Sequence, residues 1–304
     1  MTYEQRLAKR LKKAFKELRP LVREAVSAIK IVKSETRGSK PQLTLEQKIL
    51  ALLLKHLIGK SNRNMSAMLV LFMWLTNIDV SYKTIERLYS DHEVILTLHN
   101  LHTLILKKMG VNEADSGGDG TGYTLTIKKH YASEAQKLKD KIKGDNSKTY
   151  MKTLFVYFFA LMDIKSRMYI GYGTSFKSEQ EAFFSAIIMT KEIGITINSL
   201  RLDRYYSAQF YVEFIEQHLG KVRLYFIPKK NATVKGPWEW KRMLYYFVKD
   251  PVTYLEEYFK RNQSESGIAE DKKRVGWKLG QKREDRIDTA NALTTLWHNL
   301  YWLE

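Results

Sequence analysis

Residues 151–163, MKTLFVYFFALMD, form an almost unbroken apolar run rich in branched and aromatic side chains. A run of that length and composition reads as a β-strand buried on both faces, which requires a sheet covered above and below. The segment DIKS after it turns the chain, and residues 167–174 (RMYIGYGT) read as its hairpin partner. Upstream, residues 119–128 (DGTGYTLTIK) alternate as a strand. Downstream, helical spacing over 179–193 and 207–219 separates short strands at 197–202 and 222–227. A polar and aromatic stretch, about 228–255, interrupts this pattern, and helices over 251–273 and 287–303 close the chain. The order β, ββ, α, β, α, β, α predicts an α/β fold with a mixed sheet over residues 110–304.

The remaining constraints are chemical. With 304 residues the chain is long enough for one large or two modest cores. It contains no cysteine, which excludes a disulfide framework, a thiolate metal site and a cysteine nucleophile. Its 51 Lys and Arg outweigh 33 Asp and Glu, a formal charge of +18 that points to a polyanionic partner. The N-terminus lacks the apolar core of a signal peptide, and the apolar stretches 65–75 and 154–162 are too short to span a bilayer. The expectation is a soluble intracellular protein with no membrane association.

The first forty residues carry twelve Lys and Arg against four Glu. Leu7, Leu11, Phe15, Leu18 and Val22 recur at helical spacing among them, so residues 2–33 read as a basic amphipathic helix that Pro20 kinks or splits. After the polar segment 34–42, Thr44 with Gln47 forms a capping box for a helix to about residue 58. A second helix is expected over 64–75, and Ser81 caps a third, 82–90, with Lys83 and Arg87 on one side. Helix, turn and capped basic helix match a helix-turn-helix DNA reader over residues 1–100; an ordinary helical packing module has the same outline.

Three acids fall at element ends of the expected sheet domain: Asp119 in the first strand, Asp203 after the fourth, and Glu265 in the helix after the last. Strand ends of one sheet and a facing helix can bring distant positions together. Converging carboxylates favour a hard divalent cation, Mg²⁺ or Mn²⁺, and two such ions support phosphodiester cleavage. Each acid also fits a plainer role. Asp119 suits a turn, with Asp115 as a competing candidate; Asp203 suits a helix cap; Glu265 suits a solvated helix face.

The acids Asp119, Asp203 and Glu265, in that order on this pattern of elements, resemble the DDE transposases of bacterial and archaeal insertion sequences. Tyr258, Arg261, Glu265 and Lys272 stand as Y-x2-R-x3-E-x6-K, the signature of one large group of them. The contexts SGGDGTGY and RLDRYYS are similar to the segments around that family's first and second aspartates. The resemblance covers residues 117 to the C-terminus. It implies a ribonuclease H-like catalytic domain, metal-dependent cleavage at element ends, strand transfer into target DNA, and a homodimer in the DNA complex. Its partners would be double-stranded terminal repeats and target DNA.

On a continuous helix, Tyr258, Arg261 and Glu265 share one face, with Lys272 two turns on, though Gly267 weakens that helix. Arg261 and Lys272 suit phosphate binding, and Tyr258 suits either a phosphate contact or core packing. Lys128 and Lys129 follow the first strand as candidate DNA contacts. Trp238 and Trp240, set among Lys and Arg in the short insertion, suit either stacking on an unpaired base or anchoring to the core. Two other functions remain open on sequence alone: a transposase-derived DNA binder without catalysis, and a ribonuclease H-like nuclease that cuts without joining.

Overall fold

The computed structural model describes residues 3–29, 43–59, 65, 68, 80–125, 155–276, 278–281 and 283–303. These residues fall into two compact units. One combines Met1–Lys108 with Leu125–Ile127 and Lys273–Glu304; the other combines Met109–Thr124 with Lys128–Lys272.

The helical unit begins with α1 (Tyr3–Ser27), which runs through Pro20 as one helix rather than splitting there. Its stripe Ala14, Leu18, Leu21, Val22 and Ala25 is buried, while Pro20 lies on the exposed side. The next helix, α2 (Leu45–Ile58), starts at the expected capping box: the Gln47 amide donates to Thr44 Oγ1 at 3.2 Å and the Thr44 amide to Gln47 Oε1 at 2.9 Å. Ser81 caps α3 (Tyr82–Leu88), and α4 (His92–Lys108) follows. The helix expected over 64–75 lies outside the described residues except for Met65 and Met68.

The last helix of the chain, α10 (Glu284–Tyr301), belongs to this unit and packs on α1, α2 and α4. Sequence alone assigns it to the sheet domain of residues 110–304; the contacts put it here instead. It is buried on nearly every side, which a helix tolerates only when its polar groups find partners inside. Thr294 and Thr295 donate to carbonyls one turn back, and Trp297 donates its indole N–H to Leu53 O at 2.9 Å. Two nearby cations are also engaged within this unit: Arg274 lies 4.3 Å over the Tyr301 ring, and Arg286 pairs with Glu86.

The second unit holds a five-stranded mixed sheet with spatial order β3-β2-β1-β4-β5. The strands are β1 (Glu113–Leu125), β2 (Phe155–Asp163), β3 (Tyr169–Ser175), β4 (Thr196–Arg201) and β5 (Arg223–Tyr225). The first three pair antiparallel; β4 runs parallel to β1 and to β5. As the apolar run predicted, β2 is buried on both faces, with Val156, Phe158, Phe159, Ala160, Leu161 and Met162 all inaccessible.

One face of the sheet carries α5 (Glu179–Ile193) and α6 (Gln209–Leu219). The helix α5 approaches β3 closely because residue 173 has no side chain: a β-carbon there would stand 2.0 Å from the Ala182 carbonyl oxygen. The opposite face receives α8 (Pro251–Phe259) and α9 (Asn262–Val275), while α7 (Trp238–Lys249) occupies the expected insertion.

Two boundaries differ from expectation in ways that matter for the site. The strand β1 starts six residues early, so Asp119 sits in mid-strand rather than at its start. The single helix expected over 251–273 is two helices broken at Lys260–Arg261, where short i→i−3 bonds such as Arg261 N–H to Tyr258 O (3.1 Å) redirect the chain. Gly267 does not interrupt α9.

Candidate active site

Alternation along β1 puts Asp115, Gly117, Asp119, Thr121 and Tyr123 on one face of the sheet. Across the parallel pair, Gly117 is in register with Arg201 of β4. Two residues beyond each member of that pair stand Asp119, still within β1, and Asp203, just past the end of β4. Asp203 there caps a 3₁₀ turn, Arg204–Tyr206, accepting from the Arg204 amide at 2.6 Å.

The break between α8 and α9 directs Arg261 onto this face. Its Nη1 lies 3.3 Å from Asp119 Oδ1 and its Nη2 2.6 Å from Glu265 Oε1. A β-carbon on residue 117 would be 3.4 Å from the Arg261 Cα, an ordinary contact distance, so the turn settles directly on the strand. Burial opposes charge on Arg261, but Glu265, Tyr258, Asp119 and Asp203 together outweigh it and hold the guanidinium above its usual range. The three predicted acids therefore act electrostatically on one cation.

That cation does not neutralise them fully. Burial pushes the Asp119 carboxyl up to about 6 against the pull of Arg261, and the charges of Glu265 and Glu179 add to the rise. Lys272 reaches the same strand further along, donating to Thr121 Oγ1 with its ammonium 5.5 Å over the Tyr123 ring. Burial lowers its pKa, and the Asp119 charge partly restores it. Tyr258 is buried, with Arg261 5.9 Å over its ring, so its place is beneath the guanidinium. Asp115 is engaged elsewhere: its carboxylate accepts from Ser199.

Several residues of this region were not singled out by sequence. Arg201 is buried beside the site and pairs with Glu257, donates from Nε to the Glu257 carbonyl at 2.7 Å, and lies 4.9 Å over Tyr225. It thereby ties β4, two residues before Asp203, to α8, four residues before Arg261. Glu179, at the start of α5, accepts from the Tyr206 hydroxyl at 2.7 Å. A glycine-rich strand opposite a helix that opens with an acid was the visible signal for Glu179; nothing in the sequence marked Arg201.

The DNA-contact candidates separate. Lys83 and Arg87 are both exposed, one turn apart on α3. Trp238 is 71% exposed at the start of α7, whereas Trp240 is 3% exposed and donates its indole N–H to Thr233 O at 2.8 Å. Trp240 is an anchor, and only Trp238 offers a free ring face. Lys128 and Lys129 lie outside the described residues.

Oxygen-only donors on a partly buried sheet face, with Asp119 raised first by burial and further by the Glu265 and Glu179 charges, suit a hard divalent cation in chemical type. Among the described residues no three acids or histidines form a ready-made ligand cage, because Arg261 stands between Asp119 and Glu265. Nor, among these residues, is any helix long and apolar enough to cross a membrane.

The chain belongs to the transposases of insertion sequences. Over 291 residues it is 42% identical to a protein of Archaeoglobus fulgidus described as a probable transposase for insertion sequence element ISA1214, and the match spans 96% of this chain and 84% of that protein. No family model matches the chain.

Proposed function

We propose that the chain is a DDE transposase with a ribonuclease H-like catalytic domain, which cleaves DNA at element ends and joins them to target DNA. The observation that carries this reading is Arg261 pairing with both Asp119 and Glu265, with Asp203 two residues beyond the β4 residue in register with Gly117. The strand order β3-β2-β1-β4-β5, with Asp119 on β1, Asp203 just past the end of the adjacent parallel strand β4 and Glu265 on a covering helix, supports the fold assignment.

Asp119, Asp203 and Glu265 would hold one or two Mg²⁺ or Mn²⁺ ions. Bound there, such ions supply activation of the attacking oxygen and stabilisation of the leaving oxygen. The protein's own part is placement and charge. Arg261, now shared between two carboxylates, has the planar fork that grips a phosphate, and Lys272 adds a point charge along the same strand. In the first step water attacks phosphorus and the bond to the 3′-oxygen breaks, leaving a 3′-hydroxyl and a 5′-phosphate. In the second, that hydroxyl attacks a target phosphodiester and expels the target's own 3′-oxygen.

Double-stranded DNA is the partner: terminal repeats of the element, then target. Lys83 and Arg87 on α3 would meet the repeat, and the exposed Trp238, near Lys241 and Arg242, would stack on a base. A homodimer would bring two ends together.

The test is a joining assay. A labelled duplex ending in the element's terminal repeat, incubated with the full chain and Mg²⁺, should yield a cut product with a free 3′-hydroxyl and then a product joined to a second duplex. Cutting without joining would favour a nuclease; binding without either would favour a DNA-binding protein.

A further inference from the structure

The β1–β4 ladder that aligns the two aspartates of this site ends at Gly117 and Arg201, two residues short of each, yet the chemistry proposed needs them at a fixed separation. Asp203 opens the turn Arg204–Tyr206, whose Tyr206 amide donates to the Asp203 carbonyl at 2.9 Å. The Tyr206 ring is buried among Phe183, Tyr211 and Phe159, at centroid distances of 4.8, 5.1 and 5.5 Å. Its hydroxyl emerges from that cluster to donate to Glu179 Oε1 at 2.7 Å.

Glu179 in turn lies directly on β1. A β-carbon built on Gly120, the residue after Asp119, would stand 2.3 Å from the Glu179 carboxyl carbon and 2.5 Å from its Oε1. The carboxylate therefore fills the space that any other residue at position 120 would claim. It presses on the strand from the α5 side, while Asp119 projects from the other face. Burial, and then the Glu179 charge, hold the Tyr206 hydroxyl in its protonated, donating form.

We infer that Glu179 is a positioning residue: held by Tyr206 and seated on Gly120, it clamps the turn that begins at Asp203 to the strand that carries Asp119, and so sets the distance between the two aspartates. This rests on the catalytic reading given above and adds to it a residue outside the three acids and the Y-x2-R-x3-E-x6-K signature.

The clamp acts through a hydrogen bond and through packing, which separates the predicted effects of three substitutions. Tyr206→Phe keeps the ring in its aromatic cluster and removes only the donor. Glu179→Ala removes acceptor and filler together. Glu179→Gln keeps an acceptor oxygen of the same reach and removes the charge. A displacement of about 1 Å in a catalytic group costs on the order of 100-fold in rate.

The experiment measures single-turnover cleavage of a terminal-repeat duplex, DNA affinity by fluorescence anisotropy, and binding of Mn²⁺ alone by electron paramagnetic resonance, all with the full chain. Tyr206→Phe and Glu179→Ala should each slow cleavage roughly 100-fold and weaken Mn²⁺ binding roughly tenfold, with DNA affinity unchanged. Glu179→Gln should recover most of the rate lost in Glu179→Ala. Circular dichroism melts accompany each variant, and Tyr206→Phe, the mildest change, decides the matter if Glu179→Ala does not fold. Wild-type cleavage and Mn²⁺ binding by Tyr206→Phe would overturn the clamp. So would a folded Glu179→Gln as slow as Glu179→Ala, since that would make the charge, not the bond, the working feature. Asp119→Asn and Asp203→Asn run alongside. If they cut as wild type, the catalytic reading itself fails; if they are inactive while Tyr206→Phe is normal, only the clamp fails.

Discussion

Arg261 and Asp119, 142 residues apart in sequence, meet at 3.3 Å because the chain breaks its helix at Lys260–Arg261 just where Gly117 leaves the strand bare. The same guanidinium holds Glu265. One side chain thus bridges two acids, one on the strand and one on the helix that follows the break.

Replacing Arg261 separates charge from geometry. Arg261→Ala should lower the cleavage rate at least about 100-fold, because Asp119 and Glu265 lose the cation between them and the phosphate loses its fork. Arg261→Lys keeps the charge but not the bidentate shape, and should lose roughly tenfold. Single-turnover kinetics on a terminal-repeat duplex measures both.

The two tryptophans of the insertion should respond oppositely. Trp240→Ala removes a buried ring and its bond to Thr233, and should cost about 3–5 kcal/mol of stability in urea unfolding. Trp238→Ala removes an exposed ring and should leave the unfolding midpoint unchanged while weakening affinity for DNA with an unpaired end base, by about 1–3 kcal/mol.

Close approach of α5 to the sheet depends on Gly173. A β-carbon there would sit 2.0 Å from a backbone oxygen that cannot turn aside, so Gly173→Ala should destabilise by about 1–3 kcal/mol or more. At Gly117 the nearest atom is 3.4 Å away, so Gly117→Ala should fold almost as the parent does. Thermal melts of the pair test this.

His56 gives the helical unit a defined pH response. Burial, helped by the neighbouring Lys55 charge, lowers its pKa from 6.5 to about 3, and it meets Thr294 Oγ1 at 3.0 Å. The folded protein keeps it neutral while the unfolded chain protonates it below 6.5, so the unfolded state binds more protons between those values. The contribution of His56 is therefore fully present above pH 6.5 and is lost as pH falls toward 3. Urea midpoints of the wild type should drop more steeply over that range than those of His56→Gln.

Much of this was legible in the chain itself. The apolar run at 151–163 marked the doubly buried β2, and the Thr44–Gln47 box marked the start of α2, because both signals are local. Spacing and residue type brought Asp119, Asp203 and Glu265 forward, but not what stands between them. The break at Lys260–Arg261 carries no proline or glycine, and the turn it makes packs on β1 at Gly117. Trp238 and Trp240 look alike in sequence; helical phase alone decides which one turns inward. The last helix, with Trp297, Tyr301 and Trp302, reads in sequence as a packing or subunit-contact face, and its place among α1, α2 and α4 follows from long-range burial that no window of sequence displays.

The central claim is that Asp119, Asp203 and Glu265 together carry metal-dependent cleavage. Single-turnover cutting of a labelled terminal-repeat duplex should be compared for the wild type, Asp119→Asn, Asp203→Asn, Glu265→Gln and Asp115→Asn, with Mg²⁺ and with a chelator. The account predicts that the first three substitutions, like the chelator, abolish cutting while DNA binding persists, and that Asp115→Asn still cuts. Cutting by Asp119→Asn, or its loss in Asp115→Asn alone, would contradict the assignment of the site.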